Sequence, residues 1–578
     1  MKFTIQSVAA AVAVLLAEQP SLAQERPADK MAGMVMSGPM SLGLPLSPMP
    51  SVYAGQADKL GAPVFRGLGS HHMAISTRVP RTQAFFDQGV NLLFGFNHAE
   101  AIRSFREAAR LDPGCAMCWW GMAQALGPNI NLPMPPDAVA PAWQALQHAK
   151  ALASKASPRE QAWIAALSAR YSSDPKADRH ALDEAWAQAM GKLWRDHPED
   201  LDAATFYAEA MMDTQPWDYW QADGVAPKGH GGDIVATLET VIRQAPEHAG
   251  ALHLYIHAVE ASTTPERAEH AADVLLKLMP RAGHIVHMPS HIYYRVGRYA
   301  DAARVNELAA RVDEGYIASC RAQGFYPAGY YGHNIHFLWT SAEMQGRYRT
   351  AIDAARRLVR AVDAETLARQ LPMAELYAFT PVATQLRFGK WQAVLAERRP
   401  PQGLILDRAI SYYARGFAYA NTGDQARART DAANLAALLK GDFGRYEASG
   451  VPAKPMAQLA LALLDAEIAR TSGDLAGAVA KFQAAQALEL ALPYTEPPYW
   501  HQPTSHFLGA ALLQAGRPAE AEAVYLQSLK TYRDDGWALA GLVRALDGQG
   551  KTVEAANARK ALADAWRMSD TPLETSRL

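Results

Sequence analysis

The chain has 578 residues, 49% of them hydrophobic, and its 56 basic side chains nearly balance 58 acidic ones. This composition supplies enough apolar side chain for a large core and excludes a chain that is disordered throughout. The formal net charge of -2 gives no general attraction for phosphate backbones or anionic lipid, so we expect no nucleic acid among the partners.

Residues 1–23 have the pattern of a secretory signal peptide. One lysine at position 2 precedes a short apolar run, and Ser-Leu-Ala stands directly before Gln24. The run is too short to span a bilayer, and no later segment offers about 20 consecutive apolar residues. We therefore expect an exported protein, periplasmic or secreted, with no transmembrane segment in the mature chain.

Residues 24–80 are rich in methionine, proline, glycine and serine and show neither a helical nor a strand period. We predict a flexible segment. Thioether sulfur is a soft ligand suited to Cu(I), while plain low-complexity sequence is the other interpretation of the methionines. They are Met31, Met34, Met36, Met40 and Met49.

From residue 81 onward, apolar residues recur at helical spacing and a repeat of about 34 residues becomes visible. The first copy has the large and small residues of a tetratricopeptide repeat at Phe85, Gly89, Ala101, Phe105, Ala108 and Pro113. A later copy has them at Gly509, Ala521 and Tyr525. Turns between paired helices are predicted at Gly297, Gly346, Gly389, Gly423, Gly473, Gly516 and Gly550, and prolines at 246 and 280 close second helices.

Residues 81–578 are therefore predicted to form an all-α, right-handed tetratricopeptide superhelix of roughly eleven helix pairs. Each pair cannot bury its apolar face alone, so stacking of neighbouring pairs supplies the core. The first helix of each pair is expected to line the concave surface.

The chain also resembles a group of long bacterial tetratricopeptide-repeat proteins. The resemblance covers residues 82–578 and is carried by HMPSHIY at 287–293, EPPYW at 496–500 and LGAALLQAGRPAEAE at 508–522. It implies the fold. It implies no particular reaction, because a fold alone does not define the chemistry of a site.

Histidines are concentrated in the central repeats, about residues 248–345, where nine of the chain's 18 fall between positions 248 and 336. The residues of each first helix can be numbered so that the turn at its end has the same number in every repeat. His284, His287 and His291 then take positions 2, 5 and 9. The preceding repeat has His253, His257 and Glu260 at positions 5, 9 and 12, and the following repeat has His333 and His336 at positions 2 and 5. These seven histidines are predicted to face the concave side.

Imidazoles four residues apart share one helix face, and neighbouring helices lie about 8–10 Å apart, so the histidines can converge on metal. We expect one or two transition-metal ions. The predicted primary ligands are His253, His257, His287 and His291, with His284, His333 and His336 around a second ion. Glu260 is predicted to be a ligand or the general base that activates metal-bound water.

Each histidine also has a plainer interpretation, as a polar contact residue that the repeats share by duplication. Pro289 offers another possibility for the start of this helix, because proline disfavours helical backbone at the preceding residue, Met288. The helix would then begin near Pro289, with His284 and His287 on the entering loop.

Imidazole ligands suit copper, zinc or iron, and we favour copper slightly because the methionine-rich segment can capture Cu(I). The expected function is an oxidative or hydrolytic reaction on a small-molecule substrate. A non-catalytic scaffold for a peptide or protein partner and a periplasmic metal storage or delivery protein are the alternatives, so whether the chain is an enzyme stays open.

Three cysteines remain, and the closest pair is separated by two residues. In an oxidising compartment Cys115 and Cys118 are expected to form a disulfide and to leave Cys320 free. Two reduced cysteines that pack between helices are the alternative.

Overall fold

The computed structural model describes residues 61–320 and 326–578, which belong to one compact unit. These two ranges contain helices and no β-strand, which confirms the predicted all-α class. The predicted signal peptide and the methionines between residues 31 and 49 lie outside the described residues. No helix in the described part of the chain combines the length and the apolar character needed to cross a membrane.

The helices follow one another in antiparallel pairs. The first seven are α1 (Pro80–Phe94), α2 (His98–Leu111), α3 (Ala116–Ala125), α4 (Val139–Leu152), α5 (Pro158–Leu167), α6 (Arg179–Asp196) and α7 (Leu201–Thr214). The central ones are α8 (Gly231–Gln244), α9 (Ala249–Val259), α10 (Glu269–Leu278), α11 (Gly283–His287), α12 (Pro289–Arg295), α13 (Tyr299–Cys320), α14 (Gly332–Met344) and α15 (Tyr348–Ala361). A π-helical turn, Tyr326–Tyr331, precedes α14.

The remaining helices complete the array. They are α16 (Ala364–Gln370), α17 (Glu375–Ala378), α18 (Thr380–Arg387), α19 (Trp391–Ala396), α20 (Ile405–Asn421), α21 (Gln425–Leu438), α22 (Gly444–Glu447), α23 (Ala453–Thr471), α24 (Leu475–Leu490), α25 (Thr504–Gln514), α26 (Pro518–Thr531), α27 (Gly536–Asp547) and α28 (Thr552–Ala565).

The predicted turn glycines separate the two helices of a pair. All seven have φ between +63° and +89°, a left-handed conformation that glycine adopts without steric penalty and that commonly ends a helix. Two of them, Gly423 and Gly473, are followed by aspartates whose carboxylates accept a hydrogen bond at the start of the next helix. The predicted positions of these turns are therefore confirmed.

Aromatic side chains of second helices pack against glycines of first helices. Phe105 of α2 lies between Gly89 of α1 and Gly121 of α3, where an added Cβ would stand 2.5 Å from its ring. Tyr525 of α26 lies in the same way between Gly509 and Gly541, near the other end of the array. These are the tetratricopeptide positions recognised in the sequence, and the structure confirms their packing.

Helices distant in sequence meet because the array curls on itself. The indole N–H of Trp537 in α27 donates to the carbonyl of Glu343 in α14, at 2.9 Å. Ser569, after the last helix, donates to the carbonyl of Gly346, also at 2.9 Å. The concave side of the central repeats is consequently enclosed by other parts of the chain.

Residues 61–79 contain no helix, yet they lie along the first helices. The backbone N–H of Phe65 donates to the Gln88 side chain at 2.8 Å, and the N–H of Arg281 donates to the carbonyl of Gly67 at 3.0 Å. Leu68 is buried. This part of the segment predicted to be flexible thus has a defined position in the structure.

The three cysteines are arranged as predicted. Cys115 and Cys118 form a disulfide at the start of α3, and Cys320 at the end of α13 is free.

Candidate metal centre

Six of the seven predicted ligand histidines form two adjacent clusters. The first cluster consists of His253, His257 and His284, and the second consists of His287, His291 and His333. Within each cluster one nitrogen of every imidazole lies within 4.8 Å of the others. The grouping differs from the sequence expectation, which placed His253, His257, His287 and His291 around one ion.

The repeat positions explain this grouping. Positions 5 and 9 of one first helix supply two imidazoles, and position 2 of the next repeat supplies the third. The first cluster therefore draws on α9 and α11, and the second on α11, α12 and α14. His336 lies outside both clusters because its partner at position 9 is Thr340, and its ring stacks on Trp339 instead.

The backbone around Pro289 keeps the histidines in register. Met288, between α11 and α12, has φ -51° and ψ -39°, which is helical geometry. His284 and His287 therefore lie on a short helix of their own and not on an entering loop. Because of this, His287 and His291 stand one helical turn apart, with their Nε2 atoms at 2.8 Å.

Hydrogen bonds determine which nitrogen carries the proton in the first cluster. His253 Nδ1 lies 2.6 Å from the carbonyl oxygen of Phe94, which can only accept, so the proton is on Nδ1. His257 Nδ1 is held in the same way by Glu260 Oε1 at 2.9 Å. Both Nε2 atoms then present lone pairs. His253 Nε2 faces His284 Nε2 at 3.2 Å, while His257 Nε2 is buried without a hydrogen-bond partner.

The second cluster follows the same rule. His287 Nδ1 donates to Asn306 Oδ1 at 2.6 Å, and the orientation of the Asn306 amide is set by its own N–H donated to the Ala302 carbonyl at 2.8 Å. His291 Nδ1 donates to Glu260 Oε2. When both rings are neutral, the two Nε2 lone pairs point at each other across 2.8 Å, an arrangement that a proton or a metal ion between the nitrogens relieves.

The spacing of the nitrogens is compatible with a metal ion. Metal–nitrogen bonds of about 2.0 Å place two ligand nitrogens of one ion about 3 Å apart. The Nε2 pairs at 2.8 Å and 3.2 Å match that separation. Acceptors on the far nitrogen of each ring are the outer-shell partners that metal-binding histidines ordinarily have.

Burial keeps the imidazoles in the neutral form that binds metal. It lowers the pKa of His253, His284, His287 and His333 well below the ordinary value, and the charges of neighbouring imidazoles lower it further. Burial also lowers the pKa of His257, although Glu260 acts in the opposite sense. Neutral imidazoles with converging lone pairs are the form that transition metals require.

Glu260 lies directly after α9 and contacts both clusters. One carboxylate oxygen accepts from His257 and the other from His291, and the residue is fully buried. Burial alone would raise its pKa, but the charge of His291 and the hydrogen bonds from the two imidazoles lower it to about 2. Its two oxygens face the Nδ1 atoms of His257 and His291, and the three residues form a further group whose ligand atoms lie within 4.8 Å of one another, so the role of Glu260 as a ligand or general base stays a prediction.

Aromatic rings cover both clusters. Phe96 lies 4.5 Å from the His253 ring and 5.4 Å from the His284 ring, and Phe337 lies 5.0 Å from the His291 ring, all between centroids. These rings exclude water and hold the imidazoles in place. His333 is partly exposed, whereas the other five histidines of the two clusters are buried.

Two aromatic residues beside the first cluster have strained backbones. Phe96 has φ +53° and Trp217 has φ +65°, a region that bulky side chains rarely adopt. The Trp217 ring lies 5.0 Å from the His257 ring, and its N–H donates to the Ile130 carbonyl at 2.9 Å. Such conformations cost about 1–3 kcal/mol each and cluster at functional sites.

A second buried carboxylate, Glu496 of the EPPYW motif, lies near the second cluster. Burial raises its pKa to about 7, whereas Arg295 and His291 lower it. One oxygen accepts from the Tyr494 hydroxyl at 2.9 Å, and the other has no hydrogen-bond partner. Sequence reasoning noted the motif without giving this residue a role.

Two supporting groups could not be found from the histidine pattern. The Phe94 carbonyl comes from α1, 159 residues before His253, so only the curl of the array brings it close. Asn306 could have been noticed in the sequence, because it is a polar residue on the largely apolar face of α13 that also carries Ala302 and Ala309.

Other histidines have hydrogen-bonding roles. His248 Nδ1 accepts from the backbone N–H of Ala251 at 3.2 Å, which places the proton on Nε2, toward Asp202. His71 also contacts Asp202, at 2.9 Å, so this group of three ties residues 61–79 to α7 and α9. His506 pairs with Asp535 at 2.6 Å and is not a member of either cluster.

No family model and no curated protein matches the sequence. Among solved structures, the human IFIT1 dimer with m7Gppp-AAAA is 12% identical, covering 91% of this chain and 96% of that chain with a TM-score of 0.31. Yeast Tom70 is 13% identical over 84% of this chain and 92% of that chain, with a TM-score of 0.26. At these TM-scores the likeness carries no argument about partners or activity.

Proposed function

We propose that the protein is an exported metalloprotein with a dinuclear transition-metal centre, in which three imidazoles hold each ion. The observation that carries the proposal is the pair of Nε2 lone pairs of His287 and His291, 2.8 Å apart, with both protons held on the opposite nitrogens. Two neutral rings in these tautomers repel each other, and a metal ion between the nitrogens removes the repulsion. In the first cluster the Nε2 atoms of His253 and His284 lie 3.2 Å apart, and His284 Nδ1 has no hydrogen-bond partner.

The ligand set favours copper, followed by zinc and iron. Both clusters offer neutral nitrogen ligands, which suit these metals and are poor for the oxygen-seeking Mg²⁺ and Ca²⁺. Copper stands highest in the order of divalent affinities. The methionine-rich sequence between residues 31 and 49 adds a soft segment suited to Cu(I).

The reaction would be an oxidation or a hydrolysis of a small-molecule substrate. Hydrolysis at a metal needs a base with a free oxygen beside the bound water; both oxygens of Glu260 are occupied by imidazole N–H groups, whereas Glu496 has one oxygen without a hydrogen-bond partner. Two adjacent ions in a water-excluding aromatic shell suit electron transfer to or from a bound substrate. The exposed side of His333 is where we place substrate entry.

Export agrees with the disulfide between Cys115 and Cys118. Disulfides persist in oxidising compartments and are rare in the reducing cytosol. Together with the signal-like residues 1–23, this supports a periplasmic or secreted location.

Metal analysis of the purified protein tests the centre. Wild-type protein from copper-supplemented culture is expected to hold one ion per cluster, and the double variant His287→Ala/His291→Ala is expected to lose the ion of the second cluster. His336→Ala is the matched control, since this histidine lies outside both clusters, and it should retain both ions. Circular dichroism verifies that the variants stay helical.

A wild-type protein without stoichiometric metal, or a double variant with unchanged metal content, would refute the centre. A scaffold that grips a peptide or protein partner would then be the better interpretation. One observation weighs against an open groove at the later repeats: the Arg577 guanidinium already pairs with buried Glu467 there, at 2.6 and 2.7 Å.

A further inference from the structure

Within residues 61–320 and 326–578, Glu260 is the one residue whose side chain bonds to histidines of both clusters. We propose, as an extension of the proposed metal centre, that Glu260 is a shared positioning residue on which metal binding at both clusters depends. Its carboxylate accepts from His257 Nδ1 with one oxygen and from His291 Nδ1 with the other. Each of these imidazoles belongs to a different cluster.

The chemistry of the carboxylate fixes both tautomers at once. An ionised carboxylate only accepts hydrogen bonds, so each facing nitrogen must carry its proton. The proton on Nδ1 leaves Nε2 free to bind metal in His257 and in His291. A single charge of -1 thereby orients one ligand of each ion and offsets part of the charge that the two ions bring.

Hydrogen bonds from α12, the helix that carries His291, hold the backbone of Glu260 in place. Arg295, one turn after His291 in α12, donates to the Glu260 carbonyl at 2.7 Å and to the Ser262 carbonyl at 3.1 Å. The end of α9 is consequently anchored to α12. Small shifts of the carboxylate relative to either imidazole are opposed by this backbone contact.

The other outer contacts serve one cluster each. Asn306 acts only on His287 of the second cluster, and the Phe94 carbonyl acts only on His253 of the first. Asn306→Ala is therefore a natural control for the shared role of Glu260.

The variant Glu260→Gln tests whether Glu260 acts on both clusters or on one of them. The glutamine side chain has nearly the shape of glutamate but presents one acceptor oxygen and one donor NH₂. The imidazole that faces the NH₂ must accept through Nδ1, which moves its proton to Nε2 and removes its metal-binding lone pair. Glu260→Gln is expected to weaken one cluster while the other retains its ion, whereas Glu260→Ala weakens both.

The experiment titrates metal-free wild type, Glu260→Gln, Glu260→Ala and Asn306→Ala with Cu(II) and with Zn(II). Loss of outer-shell contacts typically lowers metal affinity by about 10- to 100-fold. We expect losses of that size at one cluster in Glu260→Gln and Asn306→Ala, and at both in Glu260→Ala. If Glu260→Ala weakens only one cluster, or neither, the shared role is refuted.

A readout without metal separates this inference from the metal centre itself. Long-range ¹H–¹⁵N NMR of the histidine rings in metal-free protein reports the tautomer directly. Wild type should show the Nδ1–H form at His257 and His291, and Glu260→Gln should convert one of them to the Nε2–H form. A wild type with that tautomer pattern but no metal binding would overturn the metal centre and leave only the fixing of both tautomers by Glu260, while unchanged tautomers in Glu260→Gln would overturn the positioning role alone.

Discussion

Asp313 supports the start of α11, the helix that carries His284 and His287. Its carboxylate accepts from the Tyr326 hydroxyl at 2.9 Å and from the Asn334 amide at 2.7 Å. Gly283 faces it so closely that a Cβ there would overlap the carboxylate. Burial raises the pKa of Asp313 from 3.8 to about 8, so the native protein holds it protonated at neutral pH.

This raised pKa predicts a stability that falls with rising pH. Between about pH 4 and pH 8 the folded chain binds a proton at Asp313 that the unfolded chain releases, which lowers the free energy of unfolding by about 1.4 kcal/mol per pH unit. Asp313→Asn removes the dependence, because the amide is neutral throughout. The melting temperature of the variant minus that of wild type should therefore increase from pH 5 to pH 8 and stay constant above pH 8.

Thermal unfolding followed by circular dichroism at several pH values measures this difference. The Asn334 amide oxygen has no partner and can accept from the new amide, so the substitution should fold. A variant that loses stability relative to wild type as the pH rises would contradict the raised pKa.

At the scale of the helix pair, Tyr525 holds three helices together. Its ring from α26 fills the space left by Gly509 of α25 and Gly541 of α27, and its hydroxyl bonds to Ser576 at 2.7 Å. Any side chain at either glycine would overlap the ring. Overpacking of this kind typically costs about 1–3 kcal/mol.

Gly509→Ala is accordingly predicted to lower the melting temperature. Gly315→Ala is the matched control, because this glycine is exposed in the middle of α13 with nothing within 4 Å of an added Cβ. Alanine there should raise stability by about 0.5–1 kcal/mol through helix propensity alone. Equal effects of the two substitutions would show that the ring contact is unimportant.

These glycines also show why much of the fold could be predicted. In several repeats a glycine faces the aromatic ring of a second helix and a left-handed glycine ends the first helix, so both features recur with a period in the sequence. The concave positions of the histidines followed from the same numbering. The contact between Phe94 and His253 could not be predicted in this way. It joins distant repeats and depends on how far the array curls, so no periodic pattern in the sequence reveals it.

The role of Glu260 was also outside the reach of the sequence. Its position beside two histidines is equally compatible with a ligand, a base or a hydrogen-bond acceptor. Only the structure shows that its oxygens face the Nδ1 atoms of His257 and His291, while His291 Nε2 faces His287 Nε2.

For the whole molecule, the curl of the array depends on contacts between distant segments. Arg577 forms a bidentate ion pair with Glu467 of α23, and its guanidinium lies over the rings of Phe417 and Phe507. The Arg577 side chain is 9% exposed and that of Glu467 is fully buried. Arg470 also pairs with Glu467, at 2.7 Å.

Arg577→Ala is predicted to destabilise the later repeats by about 2–4 kcal/mol, because it leaves a buried carboxylate with one cationic partner. The control is Arg559→Ala, which breaks an ion pair with Asp547 in which both side chains are largely exposed and should cost about 0–1 kcal/mol. Urea unfolding gives the free energies, and hydrogen exchange should rise in α20, α23 and α25 of the first variant only. Equal hydrogen exchange in the two variants would show that the contacts of Arg577 do not hold these later helices together.

The two histidine clusters are one arrangement used twice, which makes the proposed metal centre modular. A repeat with histidines at positions 5 and 9, followed by a repeat with histidine at position 2, generates a three-imidazole cluster wherever it occurs. The next repeat already has His336 at position 5 and the buried carboxylate of Glu343 at position 12, the place that Glu260 takes in its own repeat. Thr340→His would supply position 9 there, and a histidine at position 2 of the following repeat would complete a third cluster, so this scaffold offers a starting point for a row of metal ions along the inside of a helical solenoid.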